Sequence, residues 1–183
     1  MGTRRRLLEN GAALFAAKGF HGVGVEELGE SVGLTGPSMY RHFRTKGALL
    51  AEMLITVSKS LLEGATEVIE QHLDPKQALC ALIDRHVEFA ITYPDLIRVH
   101  ERDFGNLEEE DARQVRRLQR RYVELWVDQI QLVRPNETPE TARTMAHAVF
   151  GLLNSTPRLR SSERRNEVAA LMVGLAQRAL LSY

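Results

Sequence analysis

Gly33-Leu34-Thr35-Gly36-Pro37-Ser38-Met39-Tyr40-Arg41-His42-Phe43-Arg44-Thr45-Lys46 is the stretch whose reading decides the fold. Gly33 can take a left-handed backbone and so end the helix before it, read at about 25–32. Thr35 is placed to cap the next helix, which accepts Pro37 in its first turn and ends near Phe43. On that short helix Met39 and Phe43 lie four apart and share one face, with Leu34 beneath. Val25, Leu28 and Val32 on the preceding helix offer the matching surface. Two helices joined by a three-residue turn and packed through few apolar residues make a helix-turn-helix. Its second helix presents Ser38, Arg41 and His42, with Gly36, Pro37 and Tyr40 around its N-terminal and flanking edges.

These side chains have the chemistry to meet double-stranded DNA. Arg41 can donate two hydrogen bonds to a guanine edge in the major groove. The hydroxyls of Thr35 and Tyr40 suit phosphate oxygens, and Lys46 offers a point charge at a helix start; such contacts fix register without reading sequence. Gly36 and Pro37 are compact enough to let the helix end approach base edges, and Pro37 adds an apolar surface for a thymine methyl.

Working outward, residues 7–50 resemble the DNA-binding domain of the TetR family of bacterial regulators. The resemblance rests on Ala16-Ala17-Lys18-Gly19-Phe20, Val25-Glu26-Glu27-Leu28, Gly33-Leu34-Thr35, Met39-Tyr40-Arg41-His42-Phe43 and Lys46, in matching order and spacing. It implies DNA contacts at Thr35, Ser38, Tyr40, His42 and Lys46, with Arg41 as base reader. Two positions depart from the family pattern: Gly24 stands where Ser or Thr is usual, and Gly29 where Ala is usual.

The rest of the chain shows helical periodicity and no convincing alternating strand. A helix over about 7–18 stops at Gly19. Thr45 caps a long helix read at 46–72, and Asp74-Pro75 opens another that Pro94 interrupts. A short piece covers 95–104, a long helix 108–133, and two final helices about 139–154 and 162–181. The expectation is an all-α protein of about nine helices: a three-helix DNA-binding domain at 1–46, then a bundle at 47–183 for ligand binding and dimerisation.

Composition narrows the class. The chain has 183 residues, 44% of them apolar, and balanced charge with 24 basic and 24 acidic side chains. Neutrality argues against a general nucleic-acid coat, but residues 1–50 hold seven Lys or Arg against four acids, a basic head on an acidic body. A single cysteine, Cys80, gives no disulfide framework or Cys-based metal site. The apolar runs fall short of the roughly 20 residues that span a bilayer. Leu7-Leu8 is too brief for a signal peptide, so a cytoplasmic protein is expected. His72, His86, His100 and His147 lack metal-ligand spacing, and no phosphate loop, nucleophile elbow or clustered acid and base appears. The expectation is therefore no enzyme, no metal and no cofactor.

For the body, the resemblance implies an effector site and a homodimer on a palindromic operator, its recognition helices roughly 34–36 Å apart. Phe89, Arg98, Glu101, Phe104, Asn106, Tyr122, Trp126 and Asn154 are candidates to line or orient the effector. Tyr93-Pro94-Asp95-Leu96 and Leu152–Pro157 are similar to family members of lipid or acyl-thioester metabolism, which points to an apolar molecule or acyl-CoA. Met145, Val149 and Phe150 on one helix and Val168, Leu171, Met172 and Leu175 on the next form apolar stripes assigned to dimerisation. Arg113, Arg116, Arg117, Arg120 and Arg121 share one helical face behind Glu108–Asp111. That face reads as solvated with Glu109 pairing Arg113, as an anchor for an anionic group, or as a second DNA surface. Two other readings stand beside repression: a body that recognises a protein, and a ligand-dependent activator.

Overall fold

The structure is a computed structural model, and it describes residues 2–71, 74–158 and 164–181. Among them it is all-α, without strands: α1 (Thr3–Lys18), α2 (Val25–Glu30), α3 (Gly36–Met39), α4 (Lys46–Gln71), α5 (Pro75–Thr92), α6 (Pro94–Asp103), α7 (Glu109–Val133), α8 (Pro139–Leu153) and α9 (Arg165–Leu181). Single 3-10 turns lie at Phe104–Asn106 and Thr156–Arg158. The ends expected at His72 and Ser162 lie outside the described residues. No described helix is long and apolar enough to cross a membrane.

Caps explain several boundaries. The Thr45 hydroxyl accepts from the Ala48 N–H at 3.0 Å, fixing the start of α4. Asp74 and Thr138 do the same for α5 and α8, each followed by proline at the first helical position, where its missing N–H costs nothing. Thr35 differs from the expectation. It holds the N-cap position of α3 with extended backbone, yet its hydroxyl meets the Ser38 hydroxyl at 2.9 Å and caps no backbone N–H.

The chain forms two compact units. The first comprises residues 1–58 and 95–116, the second 59–94 and 117–183. The unit holding the first three helices thus extends past residue 46, for a physical reason: Leu49, Leu50, Met53 and Leu54 of α4 are buried among Leu7, Phe15, Leu28, Met39 and Phe43. Val99 of α6 and Val115 of α7 join the same core. Deprived of these, three short helices would bury too little apolar surface to hold their shape. The second unit packs Leu79, Leu82, Ile83 and Val87 of α5 with Trp126 and Ile130 of α7, Ala142, Ala146 and Val149 of α8, and Met172, Ala176 and Leu180 of α9.

Candidate functional site

The helix-turn-helix is held by very few groups. α2 ends early, and Gly33 takes φ +78, letting the Leu34 N–H bond the Gly29 carbonyl at 2.9 Å. A Cβ on Gly29 would stand 2.9 Å from the Leu34 oxygen and 3.0 Å from the Thr35 oxygen. The glycine found where the family favours alanine therefore accommodates a turn whose carbonyls press onto α2. Met39 and Phe43 are buried, as their spacing required. α3 itself is only one turn long, with Met39 and Phe43 amides both folding back onto backbone carbonyls.

What this core displays is the candidate nucleic-acid surface. Thr35, Pro37 and Arg41 are exposed, Tyr40 is 52% exposed, and Ser38 and His42 are half-buried. Two of the expected contact residues sit elsewhere. Gly36 is buried, with the Glu26 side chain only 3.3 Å from where its Cβ would be, so it serves the approach of α3 to α2. The Lys46 ammonium donates to the Phe20 carbonyl at 2.7 Å and the Val23 carbonyl at 2.8 Å, and lies 4.5 Å above the Phe20 ring. At least two of its three protons hold the loop between α1 and α2.

Residues that sequence reasoning passed over brace this surface. Arg4 of α1 bonds Glu52 of α4 at 2.8 Å, donates to the His42 carbonyl and lies 4.3 Å over the Phe43 ring. The Glu52 carboxylate raises the Arg4 pKa further. Asn10 donates to the Ser31 carbonyl at 2.6 Å, and Lys18 pairs with Glu27. At the C-terminal end of α1, Arg102 donates to the Phe15 and Ala16 carbonyls, where the helix dipole favours a cation. Its neighbour Asp103, buried, accepts from the Phe20 N–H at 3.2 Å. Each partner is between 9 and 87 positions away and on another element, so no helical spacing could have announced it.

In the second unit the structure gathers part of the expected effector set around His86, a residue outside that set. His86 is buried, its Nδ1 2.9 Å from the Tyr122 hydroxyl and its Nε2 3.1 Å from Asn154 Oδ1. Phe89, Tyr122, Trp126 and Phe150 enclose the imidazole with ring centroids 5.1–6.0 Å away. Burial pushes the His86 pKa down to about 4, the Asn154 hydrogen bond opposing, so the ring is neutral at ordinary pH. Burial also pushes the Tyr122 phenol well up, with the Trp126 indole and the Arg85 charge pulling the other way. Both groups therefore contribute dipoles, not charge.

Arg98, Glu101, Phe104 and Asn106 belong to the first unit. Phe104 packs on that unit's core between His100, 5.4 Å away, and Arg116, 5.8 Å away. The Asn106 amide donates to the Asp103 carbonyl at 3.1 Å. On α7, Glu109 holds Arg116 at 2.9 Å and Arg113 at 3.7 Å, and the whole arginine series is exposed.

The dimer stripe needs correction. Val149, Phe150 and Met172 are buried in the chain's own core and Met145 packs against it, because α8 and α9 use these faces against each other and α5. Leu171 is 58% exposed, with Val168 and Leu175 half-buried beside it. Past its first turn, α8 exposes Thr144, His147, Ala148 and Gly151 on one helical face.

Comparison with known proteins fits this geometry. Residues 7–53 match the family described as bacterial regulatory proteins, tetR family, and residues 72–158 match the tetracyclin repressor-like C-terminal domain. The HTH-type transcriptional repressor KstR2 of Rhodococcus jostii is 30% identical over 87 residues, 48% of this chain and 43% of that protein. The HTH-type transcriptional activator FasR of Mycolicibacterium smegmatis is 27% identical over 86 residues, 47% of this chain and 39% of FasR. The match thus spans less than half the length of either relative. Two solved structures share the fold. A TetR-family transcriptional regulator from Bordetella parapertussis superposes with TM-score 0.86 at 24% identity, covering 98% of this chain and 95% of that one. AibR, in complex with isovaleryl coenzyme A and operator DNA, gives 0.79 at 16% identity over 95% and 97%. Matched in order by the family's N-terminal and C-terminal models, the chain belongs to the tetR family of bacterial regulatory proteins.

Proposed function

We propose that this protein is a sequence-specific transcriptional repressor, a homodimer on a palindromic operator that a small molecule releases. The observation that carries the reading is the division of α3 and its flank: Met39 and Phe43 are sealed in the core while Pro37, Tyr40 and Arg41 stand in solvent. An exposed tyrosine beside an exposed arginine suits a partner that brings phosphates and base edges. Arg41 is assigned the base contact, and Thr35, Ser38, Tyr40 and His42 the phosphates. Lys46 acts chiefly by holding the loop beneath them.

The effector is an apolar molecule or acyl-CoA. Support comes from the aromatic enclosure around His86 and from AibR, a fold relative whose structure holds isovaleryl coenzyme A with operator DNA. The homodimer is assigned to the outward faces of α8 and α9, through Ala148, Gly151 and Leu171, where small residues allow close approach of a second copy. Release then follows from linkage: a ligand that binds one spacing of the two recognition helices better than the other shifts operator affinity by that difference.

Fluorescence anisotropy with labelled duplex from beside the gene, against scrambled competitor, tests the reading. Saturable binding that survives competitor and weakens with salt is expected. Equal affinity for scrambled duplex, from a folded dimer, would remove it. The relative FasR is an activator, so the sign of control is read separately: transcription from the bound promoter falls for a repressor and rises for an activator.

A further inference from the structure

We infer that the aromatic box around Trp126 binds an uncharged apolar part of its ligand, one that carries a carbonyl oxygen. The inference rests on the effector-responsive reading above and names the chemistry that the effector must carry.

The argument follows the protons. Asn154 Oδ1 can only accept, so the His86 Nε2 that lies 3.1 Å from it donates. Neutral imidazole then has its lone pair on Nδ1, and the Tyr122 hydroxyl at 2.9 Å donates to it. The direction is fixed from Tyr122 through His86 to Asn154, and the Tyr122 O–H and the His86 N–H are both used. Trp126 is different. Its indole is completely buried, and its Nε1–H has no acceptor in bonding geometry among the described residues. A buried donor without a partner is a rare feature of a folded core. The Tyr122 oxygen keeps a lone pair toward the indole but stands outside bonding geometry, so a ligand that completes the box supplies the acceptor.

The charge state of the box decides which acceptor. His86 is neutral, its pKa lowered to about 4, and the Tyr122 phenol is held protonated by burial. Arg85, whose charge is felt at Tyr122, is solvent-exposed with its guanidinium packed on Gly64. A carboxylate brought to Trp126 would lose its water without gaining a buried counter-charge, which is costly. A ketone, ester or thioester carbonyl loses far less and gains the indole N–H. The walls suit such a body: Phe150 lies 4.8 Å from the Trp126 ring, and Phe89 lies 5.8 Å from His86. The half-buried Phe89 and Asn154, with the exposed Tyr93 6.0 Å from Phe89, mark the side from which a ligand enters.

Trp126 is the chain's single tryptophan, so it reports on its own site. The probes are methyl octanoate, S-ethyl octanethioate and cyclododecanone as neutral carbonyls, with octanoate and octane as controls. Emission of the wild-type protein is titrated with each, and nitrogen-labelled protein gives one indole N–H resonance. At least one neutral carbonyl should shift emission and move that resonance downfield, binding about tenfold more tightly than octanoate or octane. The ester and thioester against the cyclic ketone separate an acyl chain from a ring ketone. Trp126→Phe should reduce the preferred carbonyl to the level of octane, read by thermal shift; the indole resonance answers the question in wild type if that variant does not fold. Octanoate binding as tightly as its ester, or no carbonyl moving the resonance, overturns the inference. Operator release by an effector that leaves the resonance unmoved overturns this site alone and keeps the regulator. A carbonyl that moves the resonance without affecting bound DNA supports the site and removes its regulatory role.

Discussion

The two units treat polar groups in opposite ways. Around α3 the first unit keeps its core strictly apolar and holds Tyr40 and Arg41 in water, where they have lost nothing before a partner arrives. Around His86 the second unit buries an imidazole, a phenol and an indole together and satisfies all but one donor internally. A surface meant for a hydrated polyanion gains from long-range attraction and needs no prior desolvation. A site meant for an apolar molecule must be dry already, and its few polar atoms then discriminate strongly. On the proposed function, one unit recognises by display and the other by enclosure.

If display depends on the small core beneath it, the largest effect comes from emptying that core. Met39 is fully buried and is the principal apolar anchor of α3. Met39→Ala should cost about 3 kcal/mol in the unfolding free energy by denaturant titration, from lost burial plus the cavity left behind. Operator affinity should fall with it although no contact residue has changed. Unchanged stability would mean that the turn is held by its backbone and by Arg4 and Lys46, and that the core is secondary.

Enclosure makes a comparable prediction through pH. The folded His86 pKa is about 4 against an ordinary 6.5, so between these values the unfolded chain binds more protons than the native one. Stability is therefore full above about pH 6.5 and declines as pH falls toward 4, where the loss levels off at about 3 kcal/mol. Denaturant titrations at stepped pH read the slope, and His86→Leu should abolish this component. A slope that persists in His86→Leu would assign it to other groups and open the box to water.

These regions also differ in how far the sequence revealed them. The turn was legible because its determinants lie within about twenty residues: Leu28, Gly33, Met39 and Phe43 constrain one another through helical spacing. Gly29, a departure from the family pattern in sequence, has its reason in the turn, whose carbonyls stand 2.9 and 3.0 Å from where a Cβ would be. Gly29→Ala should accordingly destabilise the first unit by about 2 kcal/mol, with thermal unfolding as the readout. The second unit was legible only as helices. Tyr122, Trp126 and Asn154 were singled out for polarity and size, but His86 binds partners 36 and 68 positions away, and nothing in its own neighbourhood distinguishes it from a plain core histidine. Helical periodicity says which face of a helix is apolar; it does not say whether that face meets a neighbour or a second copy. For that reason the apolar stripes suggest a dimer face at Val149, Phe150 and Met172, which the structure packs into the chain's own core.

The smallest effect is the most discriminating for display. If Arg41 reads a base and Tyr40 only anchors a phosphate, their losses differ in kind. Arg41→Ala should weaken operator binding by about 2 kcal/mol and leave scrambled duplex much less affected, lowering specificity. Tyr40→Phe removes one neutral hydrogen bond and should cost about 1 kcal/mol on operator and scrambled duplex alike. Because no charge is lost, the slope of log affinity against log salt stays as in wild type. Tyr40 is 52% exposed, so the substitution leaves the core untouched and the comparison clean. If Tyr40→Phe lowered operator affinity alone, the tyrosine would be a base reader. The exposed surface would then read sequence across both residues, and the division of labour between Tyr40 and Arg41 would fall.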